Sequence, residues 1–333
     1  MENGEEKQKK ILEDEEGKTG ENYLCTNPAI TEWKNCVPYC APVPNPRLSM
    51  REPRQGCAKD CYFIAALSSI AWAANPVLST VPLTKYTFRD PLLNGTTVVQ
   101  LASQNLPVGN GKLVFADSTS GEIWPALYEK GYAKFKNVGY TDNNADHLKI
   151  GDLPEASGMT ALLNILGGQN WGYYKMWDVN ANNMAYLTTF PNPPGQTLQP
   201  NPNNSSNILT TGKTKYPMVA WTDQRALPAG LYNKHTYSLL GVYNGYIVLR
   251  NPYSNRDTAK ILPEPNAGVL TAGTWNPDRI AENKIDFANN TDGIFALSSA
   301  LFIQYFWRFG RVNNVNENPS NTITQFDPIN PNP

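Results

Sequence analysis

Apolar residues recur at helical spacing in three segments of the first half of the chain. Residues 61–74, "CYFIAALSSIAWAA", are apolar at steps of three and four and on most other faces, which predicts a central, buried helix with Asp60 as its N-cap. Residues 121–135, "GEIWPALYEKGYAKF", carry one apolar stripe, and residues 154–168, "PEASGMTALLNILGG", end at a glycine pair. Both patterns predict helices, the second ending at the glycines.

The second half changes to short runs of β-branched and aromatic residues separated by Asn, Pro and Gly, a pattern typical of antiparallel strands. The runs are "NWGYYKMWDVN", "YPMVAWTDQ", "HTYSLLGVYNGYIVLRNP" and "ALFIQYFWRFGRV". Residues 191–214 are rich in Pro, Asn, Gly and Ser and predict a long surface loop. We therefore predict an α+β protein.

These patterns divide the chain into four regions. Residues 1–53 are dense in charge and then rich in proline and cysteine, which predicts an N-terminal extension that is partly irregular and partly disordered. Residues 54–170 are predicted to form a helical lobe and residues 171–312 a β lobe, followed by an extended tail over 313–333. A cleft between two such lobes is a common place for an active site.

Composition excludes two classes of partner. The 333 residues carry 28 basic and 29 acidic side chains, for a formal net charge of −1, so no positive field attracts nucleic acid. No apolar run reaches the ~20 residues of a membrane span, and we expect a soluble protein. The charged N-terminus lacks the apolar segment of a signal peptide, so secretion requires a leader that has been removed.

Cys61 and His235 have the features of a nucleophile and its base. Cys61 stands at the first turn of the predicted central helix, where the helix dipole and a nearby imidazolium lower a thiol pKa. The chain has two histidines; His147 lies in a polar stretch, whereas His235 opens a predicted strand. Asn251 ends the next strand, where its amide oxygen can fix the tautomer of the His235 ring.

The hairpin that carries this pair raises a problem of register. Asn-Gly at 244–245 is a strong signal for a two-residue loop. That loop alone places Asn251 opposite Ser238, and therefore on the other sheet face from His235. We therefore predict a bulge, or a different loop register, between residues 236 and 250.

An oxyanion needs hydrogen-bond donors as well. Gln55 lies six residues before Cys61, and Gly56 permits close backbone approach. The side-chain amide of Gln55 and the backbone N–H of Cys61 can converge on a developing negative oxygen.

Four segments of the chain resemble motifs of the calpain family of cysteine proteases, and two of them contain the candidate site residues. "QGCAKDCYFIAALSSI" is similar to that family's Q-G-x-x-x-D-C-W motif, "EIWPALYEKGYAKF" to W-P-x-L-x-E-K-A-Y-A-K, "HTYSLLGVYNGYIVLRNPYSN" to G-H-A-Y-S-V…L-R-N-P-W-G, and "TDGIFALSSALFIQYF" to the segment that closes the protease core. The matches follow the family's order over residues 54–308.

The resemblance implies a papain-like fold of two lobes that hydrolyses protein or peptide substrates in its cleft. It assigns Cys61 as nucleophile, His235 as general base and acid, Asn251 as the residue that orients His235, and Gln55 as an oxyanion-hole donor. The sequence itself requires no cofactor, but calcium binding is implied by the resemblance. We also hypothesise that residues 1–53 cover the cleft as an inhibitory segment.

Three positions depart from the family pattern. Tyr62 replaces a Trp, Lys234 replaces a Gly, and Tyr253 replaces the Trp that shields the His–Asn pair in the family. A domain retained for binding, with its chemistry silenced by these changes, is therefore an alternative function. Acyl transfer through the same thioester is another.

The five cysteines leave two structural alternatives open. Cys36-x3-Cys40 and Cys57-x3-Cys61 can together form a four-thiolate zinc site, although two intervening residues are the more usual spacing. In an oxidising compartment, one or two disulfides among Cys25, Cys36, Cys40 and Cys57 instead leave Cys61 as the odd free thiol.

Overall fold

The structure is a computed structural model that describes residues 32–35, 48–73, 85–90, 95–109, 112–118, 121–136, 147–167, 171–175, 211–222, 227–228, 230–254, 268–288 and 292–312. Most of the predicted N-terminal extension, most of the predicted surface loop over 191–214 and the whole predicted tail over 313–333 lie outside these residues. The described part is a mixed α/β protein with antiparallel sheets.

The helices predicted from the apolar periodicity are present. The α-helices of the described residues are α1 (Cys61–Ala73), α2 (Trp124–Phe135), α3 (Gly158–Leu166) and α4 (Ser299–Tyr305), and short 3-10 helices span His147–Asp152 and Ala281–Asn283. In α3 the Ser157 hydroxyl accepts the N–H of Thr160, and Gly167 ends the helix with a φ of 84°. None of the described helices is long and apolar enough to cross a membrane.

The strands confirm the antiparallel prediction for the second half. In chain order they are β1 (Glu32–Asn35), β2 (Lys85–Asp90), β3 (Gly95–Gln100), β4 (Asn105–Gly109), β5 (Lys112–Leu113), β6 (Trp171–Lys175), β7 (Lys213–Trp221), β8 (Thr236–Tyr243), β9 (Tyr246–Arg250), β10 (Thr274–Trp275), β11 (Ile285–Asp286), β12 (Ile294–Ser298) and β13 (Arg308–Val312). The main sheet has the order β12-β9-β8-β7-β13-β6, and its pairs are antiparallel.

One predicted strand is partly wrong. The run "ALFIQYFWRFGRV" forms α4 and then β13, rather than strand throughout. Ser298 begins the helix because its hydroxyl accepts the N–H of Leu301. The sequence analysis also missed β1 to β5, which are short strands in the half of the chain that shows helical periodicity. In the second half it missed β10, β11 and β12, of which β12 pairs with β9 at the edge of the main sheet.

Helix α1 is fixed to the main sheet by buried hydrogen bonds as well as by apolar packing. The hydroxyl of Ser69 donates to the carbonyl of Met218 at 2.7 Å and accepts its N–H at 2.6 Å. The Ser238 hydroxyl donates to the carbonyl of Ala65 at 2.8 Å. Buried groups that satisfy one another in this way have one favourable arrangement, so the helix has a defined position over β7 and β8.

The predicted bulge lies in β8. Tyr243 pairs with Tyr246 across the two-residue loop, but the register shifts between Leu239 and Gly241, so that Leu240 is the extra residue. The Leu240 carbonyl accepts the indole N–H of Trp72 at 2.7 Å, which satisfies a group that the disrupted ladder leaves without a partner.

Gly241 makes the bulge possible. Its φ is 152°, and a Cβ at this position would overlap the carbonyl oxygen of Gly212. That oxygen accepts the N–H of Val242 at 2.8 Å. The backbone at Gly212, directly before β7, therefore approaches the bulge more closely than a side chain at position 241 allows.

We expect Gly241→Ala to lower the free energy of unfolding by about 2 kcal/mol or more, because backbone atoms must move to admit the methyl group. Urea denaturation measures the loss. Gly121→Ala is the matched control, since Gly121 has a φ of 89° and no atom lies within 4 Å of the added Cβ. The control carries only the conformational cost of about 1 kcal/mol, and equal losses in the two variants would contradict the role of close packing at the bulge.

Candidate active site

Cys61 is the first residue of α1, and its thiol is free and fully buried. Asp60 occupies the N-cap position, as predicted, and its backbone carbonyl accepts the N–H groups of Phe63 at 2.8 Å and Ile64 at 3.1 Å. Its carboxyl group does not cap the helix but is buried beside Glu129, and burial raises the pKa of Asp60 to about 6. The sulfur therefore lies at the positive end of α1 with a buried carboxyl group next to it.

Burial dominates the protonation of this thiol. It raises the pKa of Cys61 to about 12, the backbone of Thr236 lowers it, and the charge of Asp60 raises it again. Because the thiol interacts with Thr236, it lies against the residue that follows His235 in the chain. Cys61 is a neutral thiol at physiological pH in this arrangement.

His235 stands immediately before β8, and Asn251 immediately after β9. The Nε2 atom of His235 lies 2.9 Å from the Oδ1 atom of Asn251. The bulge explains this contact, because Ser238 pairs with Arg250 beyond it, which places Asn251 opposite Tyr237 and on the same face as His235.

The hydrogen bonds also determine the tautomer of the ring. The Oδ1 atom of Asn251 accepts the backbone N–H of Tyr253 at 3.0 Å, which identifies it as the amide oxygen. The Nε2 atom of His235 must therefore donate, so the Nδ1 atom of the neutral ring carries a lone pair. Nδ1 is buried and has no hydrogen-bond partner among the described residues.

Aromatic rings enclose His235. Tyr253 stacks on the imidazole with ring centroids 4.6 Å apart and an interplanar angle of 18°. Tyr232 and Tyr237 lie at 5.4 and 5.0 Å from the imidazole centroid. Burial lowers the pKa of His235 to about 4, and the hydrogen bond with Asn251 offsets part of this shift. Tyr253 therefore packs over His235 although it replaces the family's Trp.

Gln55 connects the segment before α1 to the segment after β9. Its backbone N–H donates to the carbonyl of Pro252 at 2.8 Å, and its side-chain Nε2 donates to the carbonyl of Ala58 at 2.9 Å. Gly56 lies so close to the backbone of Phe115 that a Cβ would overlap the Phe115 carbonyl oxygen. The absence of a side chain at Gly56 therefore allows a close approach to the Phe115 backbone. The buried Gln55 is held beside the strand end that carries Asn251.

The bonding states of Cys57 and Cys61 decide between the zinc site and the disulfides that the sequence left open. Cys57 is disulfide-bonded, whereas Cys61 is free. A sulfur in a disulfide is not a thiolate ligand, so the four-cysteine zinc site is wrong. Among the described residues, no group of three or more His, Cys, Asp or Glu is placed to hold a metal ion.

Two residues next to the site were missed in the sequence analysis. Thr222 ends the apolar run of β7, and its hydroxyl accepts the backbone N–H of His235 at 3.1 Å. Tyr232 precedes His235 by three residues, and its backbone N–H donates to the hydroxyl of Tyr237 at 2.9 Å. The sequence signals were a polar residue at the end of a buried strand and tyrosines on both sides of the histidine.

Comparison with known proteins gives consistent matches. The profile of a family described as "Calpain family cysteine protease" matches residues 24–313. The chain is 28% identical over 285 residues to a "Thiol protease" of Porphyromonas gingivalis, covering 76% of this chain and 53% of that protein. It is 31% identical over 217 residues to human calpain-14, covering 60% of this chain and 27% of that protein. For the catalytic subunit of human calpain-2 the identity is 30% over 118 residues, covering 31% of this chain and 16% of that protein.

The chain thus spans about half the length of the Porphyromonas protein and smaller shares of the calpains. The profile match covers most of the chain and includes all of the residues that surround His235 and Cys61. The chain therefore belongs to the calpain family of cysteine proteases.

Proposed function

We propose that this chain is a cysteine endopeptidase that hydrolyses peptide bonds in protein or peptide substrates, with its active site in the cleft of a papain-like, two-lobe fold. The observation that carries the proposal is the His235–Asn251 hydrogen bond of 2.9 Å, which leaves the lone pair of Nδ1 unpartnered in the described part of the site. The free thiol of Cys61, at the N-terminus of α1, interacts with Thr236, the residue that follows His235. Family membership supports a protease function.

In the proposed reaction, the sulfur of Cys61 attacks the substrate carbonyl carbon while Nδ1 of His235 accepts the thiol proton. The imidazolium then gives this proton to the leaving amine, the C–N bond breaks, and a thioester remains on Cys61. Water, deprotonated by His235, hydrolyses the thioester and regenerates the thiol. Asn251 holds the ring in the required tautomer throughout these steps, because its oxygen only accepts hydrogen bonds.

Gln55 and the start of α1 would stabilise the oxyanion. The amide nitrogen of Gln55 has two N–H groups, and the bond to Ala58 uses one of them to fix the side chain. The backbone N–H of Cys61 belongs to the first turn of α1, where N–H groups have no partner within the helix. Such donors contribute several kcal/mol each when they point at the developing charge.

The described arrangement is a closed state of this site. Cys61 and His235 both have 0% of their surface exposed, so a peptide reaches the sulfur only after the surrounding segments move. Burial favours the neutral form of both groups. We propose that opening of the site, which brings water and substrate to it, reduces the pKa shifts of Cys61 and His235. The proton can then pass from the sulfur to the imidazole. The described residues supply no cluster for calcium, and no step is assigned to that ion.

Part of the N-terminal extension belongs to the core rather than to a removable cover. Met50 is 1% exposed, and the carbonyl of Arg51 accepts a hydrogen bond from the buried Arg250 at 2.8 Å. Arg250 in turn donates to the hydroxyl of Ser68 in α1 at 2.8 Å. Residues 32–35 likewise belong to a sheet, since they form β1 and pair with β4. The proposed inhibitory role is therefore restricted to residues 1–31.

A chain that begins at residue 32 is expected to cleave peptides faster than the full chain, because the proposed cover is gone while β1 is kept. Both chains carry Cys57→Ser, so that the disulfide of Cys57 is absent from each. Initial rates on a quenched fluorescent peptide measure the effect. Equal rates with equal thermal midpoints would rule out inhibition by residues 1–31.

Cys61→Ala is expected to reduce kcat/KM for a peptide substrate by at least about a thousandfold, because no other described group replaces the thiolate. Cys61→Ser, which conserves the side-chain shape, should be similarly inactive and should keep the thermal midpoint. Alkylation by iodoacetamide should label Cys61 in the wild type and not in the variants. Full activity in Cys61→Ala would exclude the assignment.

The same assay separates the two alternative functions. Peptide binding without cleavage by the wild type identifies a silent binding domain. Product formed with an added primary amine at the expense of free acid identifies acyl transfer. Parallel reactions with Ca²⁺ and with a chelator test whether the calcium binding implied by the family resemblance affects the rate.

The buried imidazole predicts a loss of stability in mild acid. The unfolded chain protonates His235 below its ordinary pKa of 6.5, whereas burial in the folded chain lowers that pKa to about 4. Stability should therefore fall as pH decreases from 6.5 towards 4, by roughly 3 kcal/mol in total. His235→Asn should lack this contribution, and urea denaturation at several pH values measures the difference.

The pH dependence must be compared between the wild type and His235→Asn, because Asp60 changes the free energy of unfolding in the opposite direction over part of the same pH range. Its pKa is raised to about 6 by burial, so its contribution to stability grows as pH falls. His147→Asn is the matched control, which removes the other histidine of the chain. Parallel pH curves for the wild type and His235→Asn would show that His235 is not buried in its neutral form.

A further inference from the structure

Lys234, directly before His235, has a backbone conformation that lysine normally avoids. Its φ is 49°, in the left-handed region where side chains other than those of Gly, Asn and Asp are disfavoured. Asn244, which also has a positive φ, lies in the hairpin turn, where Asn is well tolerated. Glycine would satisfy the backbone at position 234 without strain, yet this chain carries a long cationic side chain there.

The side chain of Lys234 is partly exposed. The ion pairs of the described residues join other groups: Arg51 with Asp292, Arg54 with Asp117, Lys59 with Glu155 and Lys213 with Asp278. No acidic side chain of the described residues pairs with Lys234. A strained residue persists when the structure around it requires the conformation, and here the residue in that conformation carries a positive charge and directly precedes His235 in the chain.

Lys234 is the chain neighbour of the proposed base. Adjacent Cα atoms are about 3.8 Å apart, and a general base must be within hydrogen-bond reach of the proton it takes. The flexible four-carbon stem of Lys234 is long enough for its ammonium group to reach a substrate side chain near the scissile bond. No contact with the reacting atoms themselves is assigned to Lys234.

We propose that Lys234 is a specificity-determining residue that favours substrates with an Asp or Glu side chain close to the scissile bond. This inference rests on the proposed peptidase function and adds its substrate class. The attraction is between a partly exposed ammonium and a substrate carboxylate, so salt should weaken it.

The test uses pairs of quenched fluorescent peptides that differ only by Glu or Gln at one of the three positions on either side of the cleaved bond. We expect the wild-type chain to show a kcat/KM for Glu roughly three- to fivefold above that for Gln at one position in low salt. Lys234→Arg should keep this ratio, Lys234→Gly should bring it to one, and Lys234→Glu should invert it.

Arg279→Gly is the matched control. Arg279 is also cationic and has a φ of 59°, but it is exposed in the segment between β10 and β11. The control removes the same charge and the same strain elsewhere and should leave the Glu/Gln ratio unchanged. Lys234→Gly should also raise the thermal midpoint, so a lost preference in this variant does not reflect unfolding.

Three results would overturn the proposal: no Glu preference in the wild type at any position, a preference that Lys234→Gly retains, or a fall in the thermal midpoint of Lys234→Gly. If the wild type cleaves none of the peptides, the proposed function fails, and binding becomes the readout. Fluorescence anisotropy on Cys61→Ala should then show the same ratio between the Kd values of the Gln and Glu peptides. Equal Kd values would reject the role of Lys234.

Discussion

The extra residue in β8 is the constraint on which the arrangement of the site depends. Leu240 breaks the ladder between β8 and β9, and beyond it the pairing moves by one residue. Because side chains alternate between sheet faces, this shift moves Asn251 to the face that carries His235. The carbonyl of Leu240 binds Trp72 at the far end of α1, so the same irregularity helps to position the helix that begins at Cys61. A regular hairpin would separate the imidazole from its amide partner.

Burial gives this site its electrostatic character. A thiol and an imidazole are both held away from water, and each is favoured in its uncharged form. A backbone hydrogen bond from Gln55 to the carbonyl of Pro252 joins the segment before α1 to the residue that follows Asn251. The structure therefore holds Cys61 and His235 in buried positions where the neutral form of each is favoured. Under the proposed function, access of water and substrate is what changes that state.

The departures from the family motif have different structural consequences. Tyr253 keeps an aromatic ring stacked on His235. Tyr62 is fully buried and donates its hydroxyl to the carbonyl of Pro154 at 3.0 Å. Lys234 instead occupies a backbone conformation suited to glycine. The two tyrosines preserve packing, whereas the lysine adds a charge, and this is why specificity is proposed for position 234 alone.

The sequence by itself determined α1, α2 and α3 and the antiparallel strands β6 to β9 and β13. These features follow from local periodicity, capping residues and the alternation of side chains along a strand, all of which are properties of neighbouring residues. The need for a bulge or a different loop register followed from strand alternation only once His235 and Asn251 were assigned to one site. The sequence did not determine α4, where a buried aromatic run fits either a strand or a helix, the short strands β1 to β5, or the strands β10 to β12. Only the tertiary structure decided that Leu240 is the bulged residue, that Trp72 satisfies its carbonyl, and that Cys61 lies against Thr236. Those contacts join segments far apart in the chain, so their energies depend on packing that no local pattern contains.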